Sequence, residues 1–305
     1  MPATTVDSTE ESVSRLGVAA GLVAVSAWGL AGVIAKDIDM DGVAIGTYRF
    51  AIYGIVVGVL MQTRGSPITR RVMRASLWGG IALGADVALF FSAIKLTSIA
   101  NATVVSALQP VAVALIAWRV FGETIRRRDI IFGLLALAGV IVAVLASAEG
   151  ADTSLSGDLL AVGAVLAWAL YFVFSKQAKG TITSNEYSVG AALWVGLINA
   201  PIALAFGQSL AWPSAHSWVR LLALAFGAGV LGHSLMNWSI QQIPLWLGST
   251  LTLLIPVVSA TAAWYFLDEP LTAIQIAAMA VVLLALLGVI TGQAGIGSRP
   301  RPLRR

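Results

Sequence analysis

No cysteine occurs in the 305 residues, and only 11% of them are charged. The first absence excludes disulfides, thiolate metal sites and thiol chemistry. The second excludes an ordinary soluble domain, in which about a quarter of residues are charged. Histidine is scarce too, with two in the chain. The clustered His, Asp and Glu of an embedded hydrolase, such as the paired histidines of a metalloprotease helix, therefore have little to form from. The expectation is a protein that is not an enzyme, with no catalytic residue, metal or cofactor.

Apolar residues fill the space instead: 58% of the chain is hydrophobic and the mean hydropathy is +0.87. Apolar runs near 20 residues recur, long enough to cross a hydrocarbon layer of about 30 Å. They predict an all-α integral membrane protein with ten transmembrane helices, over 15–36, 42–63, 74–96, 99–121, 129–148, 157–179, 184–207, 217–242, 245–267 and 273–293. The opening "MPATTVDSTEESVSR" is acidic and lacks a basic leader, so the first run reads as a retained span. Short breaks such as "KDIDMDG" and "TRGSPITRR" separate the runs and leave no room for a soluble domain. Two breaks carry capping-box spacing, Thr183 with Glu186 and Thr272 with Gln275.

Charge orients the spans. With both termini inside, fifteen Lys and Arg fall in inner segments, among them Arg64, Arg70, Arg71, Arg74, Arg126, Arg127, Arg128, Arg299, Arg301, Arg304 and Arg305. Three, Lys36, Lys95 and Arg220, fall in outer ones. That bias predicts a multi-pass protein of a bacterial inner membrane with cytoplasmic termini. The pI of 9.7 then reflects loop arginines rather than nucleic-acid binding. Trp78, Trp118, Trp246, Trp212, Trp218 and Trp264 fall near span ends and read as an interfacial belt. Trp28, Trp168, Trp194 and Trp238 lie deeper.

One segment is written twice. "VVSALQPVAVALIAWRVFGETI" (104–125) and "TLTLLIPVVSATAAWYFLDEPL" (250–271) match at an offset of 146 in Leu108/Leu254, Pro110/Pro256, Val111/Val257, Ala114/Ala260, Ala117/Ala263, Trp118/Trp264 and Glu123/Glu269. The first span repeats at an offset of 140, with Gly17/Gly157, Trp28/Trp168 and Lys36/Lys176. The chain thus divides into a repeat over 1–150 and another over 151–305. Five spans is an odd number, so the halves cross the membrane in opposite senses. Such inverted repeats build secondary transporters with the substrate site at the midplane between halves.

Ten spans as five plus five, with "AWRVFGE" and "AWYFLDE" closing spans four and nine, resemble the drug/metabolite transporter superfamily and its EamA-type ten-helix group. Within that group the chain is similar to YddG-type exporters of aromatic and other neutral amino acids. The resemblance implies a secondary transporter that exports small metabolites, above all neutral or aromatic amino acids, by alternating access around a midplane cavity. Efflux of other metabolites or drugs is the alternative within the class, and a channel-like pore is the alternative outside it. The partners expected are a small-molecule substrate and membrane lipid, with proton coupling and passive or exchange transport left as open alternatives.

Few polar groups lie inside the spans, and intramembrane ionisable groups face a bundle interior or an aqueous cavity. Asp86 is the one acid in mid-span and His233 the one histidine. His233, Asn237 and Gln241 recur at i, i+4 and i+8, one helical face; Trp168, Tyr171 and Ser175 share a face of span six. The expected substrate-binding set is Asp86, His233, Asn237, Trp168, Trp238, Tyr171 and Arg49. Asp86 would meet an ammonium, His233 and Asn237 would donate to a carboxylate, and the Trp rings would hold an apolar side chain. Arg49 either joins this set or snorkels outward to Asp37, Asp39 or Asp41. Asp86 and the His233 stripe have a plainer alternative, as packing and interhelical hydrogen bonds.

A helical proline frees the carbonyl four residues back. For Pro110 and Pro256 those carbonyls belong to Ser106 and Thr252, equivalent hydroxyl residues. These four form the expected gating or hinge set, with a static kink as the alternative. Glu123 and Glu269, at loop edges, are expected to cap or pair locally.

Overall fold

The structure, a computed structural model, describes residues 14–96, 99–146 and 154–294. The acidic start, Arg299, Arg301, Arg304 and Arg305 lie outside the described residues, as do the side chains of Lys36 and Lys95. Every regular element among the described residues is helical: α1 (Arg15–Lys36), α2 (Gly42–Thr63), α3 (Arg70–Leu96), α4 (Ile99–Ser106), α5 (Gln109–Phe121), α6 (Arg127–Leu145), α7 (Leu155–Gln177), α8 (Ser184–Ala205), α9 (Ala215–Leu224), α10 (Leu235–Ser239), α11 (Leu245–Leu251), α12 (Ile255–Leu267) and α13 (Ala273–Ala294). A π-helical segment, Ala225–Ser234, joins α9 to α10, and a 3₁₀ turn, Thr252–Leu254, joins α11 to α12. Together they make ten helices long and apolar enough to cross a membrane. Large apolar side chains such as Leu115, Leu284 and Leu287 stand exposed on the bundle's outside, the surface a bilayer covers.

The repeat is visible in details beyond the matched letters. Ser14 caps α1 by accepting from Gly17 N (3.1 Å), and Ser154, its equivalent, caps α7 through Gly157 N (3.4 Å). At the far end of the doubled segment, the N–H of Glu123 reaches Ala117 O (3.4 Å), and that of Glu269 reaches Ala263 O (3.3 Å). Both helices stop on a left-handed residue, Gly122 at φ 66° and Asp268 at φ 55°. The glycine adopts this conformation freely, whereas the aspartate does so at a cost. Backbone geometry has thus been kept where the side chain has diverged. The two expected capping boxes form, at Thr183–Glu186 and Thr272–Gln275.

Packing follows the same two-fold logic. α3 lies on α7, and the equivalent pair is the α9–π–α10 span on α1. α4 and α5 also pack on α7, as α11 and α12 do on α1. α2 pairs with its own equivalent α8, and α6 with α13. The halves are therefore interleaved, and the core lies between them, around Phe50, Tyr53, Tyr171, Phe172 and Tyr187. Close approach needs missing side chains: a Cβ on Gly80 would sit 2.3 Å from Trp194 Cβ, so α3 and α8 meet there because nothing intervenes.

Candidate functional site

The prolines shape the middle of the bundle first. Neither sits inside a continuous kinked helix. Pro110 opens α5 after a break at Ala107 and Leu108, and Pro256 opens α12 after the 3₁₀ turn. Proline suits a first helical turn, where its missing N–H would have no partner anyway. The carbonyl of Thr252, which Pro256 cannot bond, is taken by the Ile255 N–H. The hydroxyls bond backwards, Thr252 Oγ1 to Ser249 O (2.6 Å) and Ser249 Oγ to Trp246 O (2.9 Å). Spans four and nine are thereby broken at equivalent points, inside the apolar run.

A cavity of about 460 Å³ opens beside these breaks. Its walls carry Arg49 from α2; Asp86, Phe90 and Phe91 from α3; Thr103, Ser106 and Gln109 around the first break; and Thr252, Pro256 and Ser259 around the second. Trp28, Trp168 and His233 line it as well. These residues run from the middle of the spans to the end that holds the α1–α2 and α3–α4 connections. None comes from the arginine-rich end, where Arg71 donates to Thr181 O (2.5 Å) and Lys179 to Gln241 O (2.7 Å).

Arg49 points into this cavity. Its guanidinium carbon lies 4.5 Å from the centre of the Phe50 ring, its Nε is buried without a partner, and Asp86 is the acid whose charge reaches it. Asp37, offered by the sequence as a snorkelling partner, pairs instead with Arg220 and with His216 (3.4 Å). Asp86 itself makes no hydrogen bond or ion pair with any described side chain, and it borders the same cavity as Arg49.

His233 lies at the end of the π-helical segment, ringed by Trp28 (5.0 Å between centroids), Phe50 (5.1 Å), Tyr171 (5.9 Å) and Trp168 (6.3 Å). The wide turn depends on close contact with its neighbours. A Cβ on Gly232 would lie 2.3 Å from Trp28 Nε1, and that indole N–H donates to Ala228 O (3.0 Å) inside the segment. Trp168, the repeat equivalent of Trp28, has no partner for its own buried Nε1. Such π-turns recur at functional sites.

Behind His233 stands a buried polar network. Asn237 donates to Tyr171 Oη (2.7 Å) and Ser188 Oγ (2.8 Å), and accepts from Ser175 Oγ (2.7 Å). Tyr171 Oη lies 3.2 Å from His233 Nδ1. With Asn237 donating to the phenol oxygen, the phenol proton has Nδ1 as its acceptor. That arrangement satisfies each group and leaves the ring proton on Nε2.

The structure thus gathers Asp86, Arg49, Trp168, His233, Ser106, Thr252 and Pro256 on one cavity. Tyr171 and Asn237 stand one layer behind it, and Gln241 falls beyond the end of α10. Trp238 is 36% exposed and lines none of the three described cavities. Pro110 borders a different cavity of about 460 Å³, between α5, α6 and α11, whose walls are mostly apolar but include Glu123 and Asp129. Of the tryptophans read as an interfacial belt, Trp246 is buried, because α11 packs inside the bundle. Trp28, Phe90, Phe91, Thr103, Gln109 and Ser259 were not assigned to the site from sequence. Trp28 carried a signal in its equivalence to Trp168, and Thr103 in its equivalence to Ser249, one turn before the break.

Comparison with known proteins gives the family. The EamA-like transporter family matches twice, at residues 15–145 and 155–291. A probable amino-acid metabolite efflux pump of Salmonella typhimurium is 29% identical over 177 residues, 55% of this chain and 59% of that protein. The threonine/homoserine exporter RhtA of Escherichia coli K12 is 28% identical over 216 residues, 70% of this chain and 69% of that one. The aromatic amino acid exporter YddG of Ancylobacter novellus is 30% identical over 154 residues, 50% of this chain and 52% of that one. The matches therefore span between 52% and 69% of these relatives' lengths. A solved crystal structure shares the fold, with a TM-score of 0.79, 22% identity, and coverage of 93% of this chain and 99% of that one. This bundle, with ten helices long and apolar enough to cross a membrane and one family matched in each half, belongs to the EamA-like transporter family.

Proposed function

We propose that this transporter exports neutral amino acids from the cytoplasm of a bacterium, across the inner membrane, by alternating access. One observation carries the reading: Arg49 and Asp86, opposite charges without side-chain partners, border a single cavity among aromatic rings. A zwitterion satisfies both. The guanidinium takes the carboxylate as a planar fork and Asp86 takes the ammonium. His233 Nε2–H is placed to add a donor. Trp28, Trp168, Phe90 and Phe91 offer an apolar wall to the side chain, and Thr103, Ser106, Gln109 and Ser259 offer hydrogen bonds to a hydroxylated one. This division of labour assigns the carboxylate to Arg49 rather than to Asn237, whose amide is already engaged. The names of the relatives, exporters of threonine and homoserine, of aromatic amino acids and of amino-acid metabolites, support the same substrate class.

The test is counterflow in proteoliposomes with threonine, homoserine, phenylalanine and tryptophan, against a purine, a sugar and a cationic drug. Arg49→Gln and Asp86→Asn each leave one end of the zwitterion facing a desolvated neutral group. A charge left unpaired in this way costs about 2–5 kcal/mol, so at least about a tenfold rise in half-saturation is expected for every amino acid. Arg49→Gln should bind a substrate amine lacking the carboxylate as well as the parent does. Wild-type kinetics in both variants would overturn the zwitterion site.

A further inference from the structure

The repeat writes a glutamate just beyond its fourth span twice, Glu123 and Glu269. It also writes a lysine near the end of its first span twice, Lys36 and Lys176. In the structure one of each meets across the halves. Glu123 Oε1 lies 2.5 Å from Lys176 Nζ, and the same carboxylate accepts from Leu245 N (2.9 Å) and Trp246 N (3.2 Å). One side chain thereby joins the end of α5, from the first half, to the end of α7 and the start of α11, from the second. The junction lies at the arginine-rich end, where Glu123 and Trp246 border the second cavity and not the one that holds Arg49 and Asp86.

We infer that Glu123 and Lys176 form a releasable gate that holds the arginine-rich end shut while the cavity is open at the other. Glu123 sits at the tip of a lever. α5 starts at the break beside Pro110 and runs 13 residues, about 20 Å at the helical rise, before reaching it. A small rotation at the break therefore moves Glu123 far enough to part it from both Lys176 and α11. The pair is partly wet, with side chains 12% and 20% exposed. Water can take over each charge on parting, so the tie can open and re-form where a fully buried one would not.

The two-fold relation gives the gate a counterpart. Subtracting the offset of 146 carries Leu245 and Trp246 onto Ile99 and Ala100 at the start of α4, and relates Glu123 to Glu269; the offset of 140 relates Lys176 to Lys36. By the repeat offsets alone, Glu269, Lys36 and the start of α4 are the matching trio for the opposite end. Glu123 and Glu269 act in transport without touching substrate. The inference rests on the alternating-access reading and not on the identity of the substrate.

The absence of cysteine makes the test direct. Ser106→Cys places a single thiol on the cavity wall, and a membrane-impermeant maleimide is applied from either side, to intact cells or inside-out vesicles. Glu123→Gln removes the charge and keeps one oxygen, so one of the bonds from Leu245 and Trp246 is lost with it; Lys176→Met removes the partner and leaves that cap alone. Each should raise labelling from the arginine-rich side relative to the other about tenfold, the ratio that about 1.4 kcal/mol gives. Glu269→Gln should move the ratio the opposite way. An unchanged ratio in both Glu123→Gln and Lys176→Met, or a shift in the same direction for Glu123→Gln and Glu269→Gln, overturns the gate. If Glu123→Gln fails to insert, Lys176→Met decides alone. The assay needs no substrate, so a failed amino-acid screen and a failed gate are separate results.

Discussion

Tyr171 Oη meets two partners, the Asn237 amide and His233 Nδ1, and is wholly enclosed by α7, α8 and the π-helical span. Removing it without disturbing its ring separates support from contact. Tyr171→Phe should keep the packing against Tyr187 and Phe172 but free the His233 ring to change tautomer. The lost hydrogen bonds should cost about 1–3 kcal/mol of stability, read as a lower melting temperature in detergent, with a higher half-saturation in counterflow. Asn237→Leu should cost more, because Tyr171, Ser175 and Ser188 then all lose a partner. Retained melting temperature in both would mean the network is replaced by water. At this scale the sequence reading named polar groups that the fold brings together, but not their layers. Helical spacing put His233 and Asn237 on one face, which they share, yet spacing alone carries no information on which neighbour lies opposite. Asn237 consequently looked like a substrate ligand, whereas its amide is engaged by Tyr171, Ser188 and Ser175. Trp238 fell one residue from that face and turned outward.

Spans four and nine are the broken elements, and their breaks precede the two prolines. Pro256→Ala supplies an N–H for the Thr252 carbonyl, which Ile255 now holds in the 3₁₀ turn. The turn should then relax toward continuous α-helix and stiffen the span. The protein should still insert, while the sided labelling of Ser106→Cys shifts by about threefold or more, under 1 kcal/mol of bias. Pro110→Ala should shift it too, through the equivalent break at the base of α5. Parental labelling and parental counterflow in both variants would make the breaks fixed features of the fold. The prolines and their hydroxyl neighbours were legible in the sequence because a proline's missing donor is a local fact. The π-helical segment was not legible. "AFGAGVLGHS" is glycine-rich and permits many backbones, and the wide turn depends on Trp28 lying against Gly232 from another helix.

For the molecule as a whole, topology is the property that charge alone predicts. Single cysteines at Ser66, Thr124, Thr181 and Gln242, in the α2–α3, α5–α6, α7–α8 and α10–α11 connections, should resist an impermeant reagent in intact cells. A cysteine at Ser209, in the α8–α9 connection, should label. Labelling at Ser66 or Thr124 from outside would reverse the orientation and, with it, the direction in which the arginine-rich gate faces.

What the sequence by itself determined was set by local rules and by repetition. Hydropathy over about 20 residues decides which segments are long and apolar enough to span, a pair of offsets shows that sequence recurs between the halves, and isolated charges mark where apolar surroundings are interrupted. The tertiary structure alone decided how the halves interleave, and hence which isolated groups share a space. Arg49 and Asp86 stand 37 positions apart in the chain and border one cavity because α2 and α3 line the same opening between the repeats. Glu123 joins Lys176 and α11 across the halves for the same reason. Side-chain direction and helix contact depend on every neighbour at once, and no window along the chain contains them.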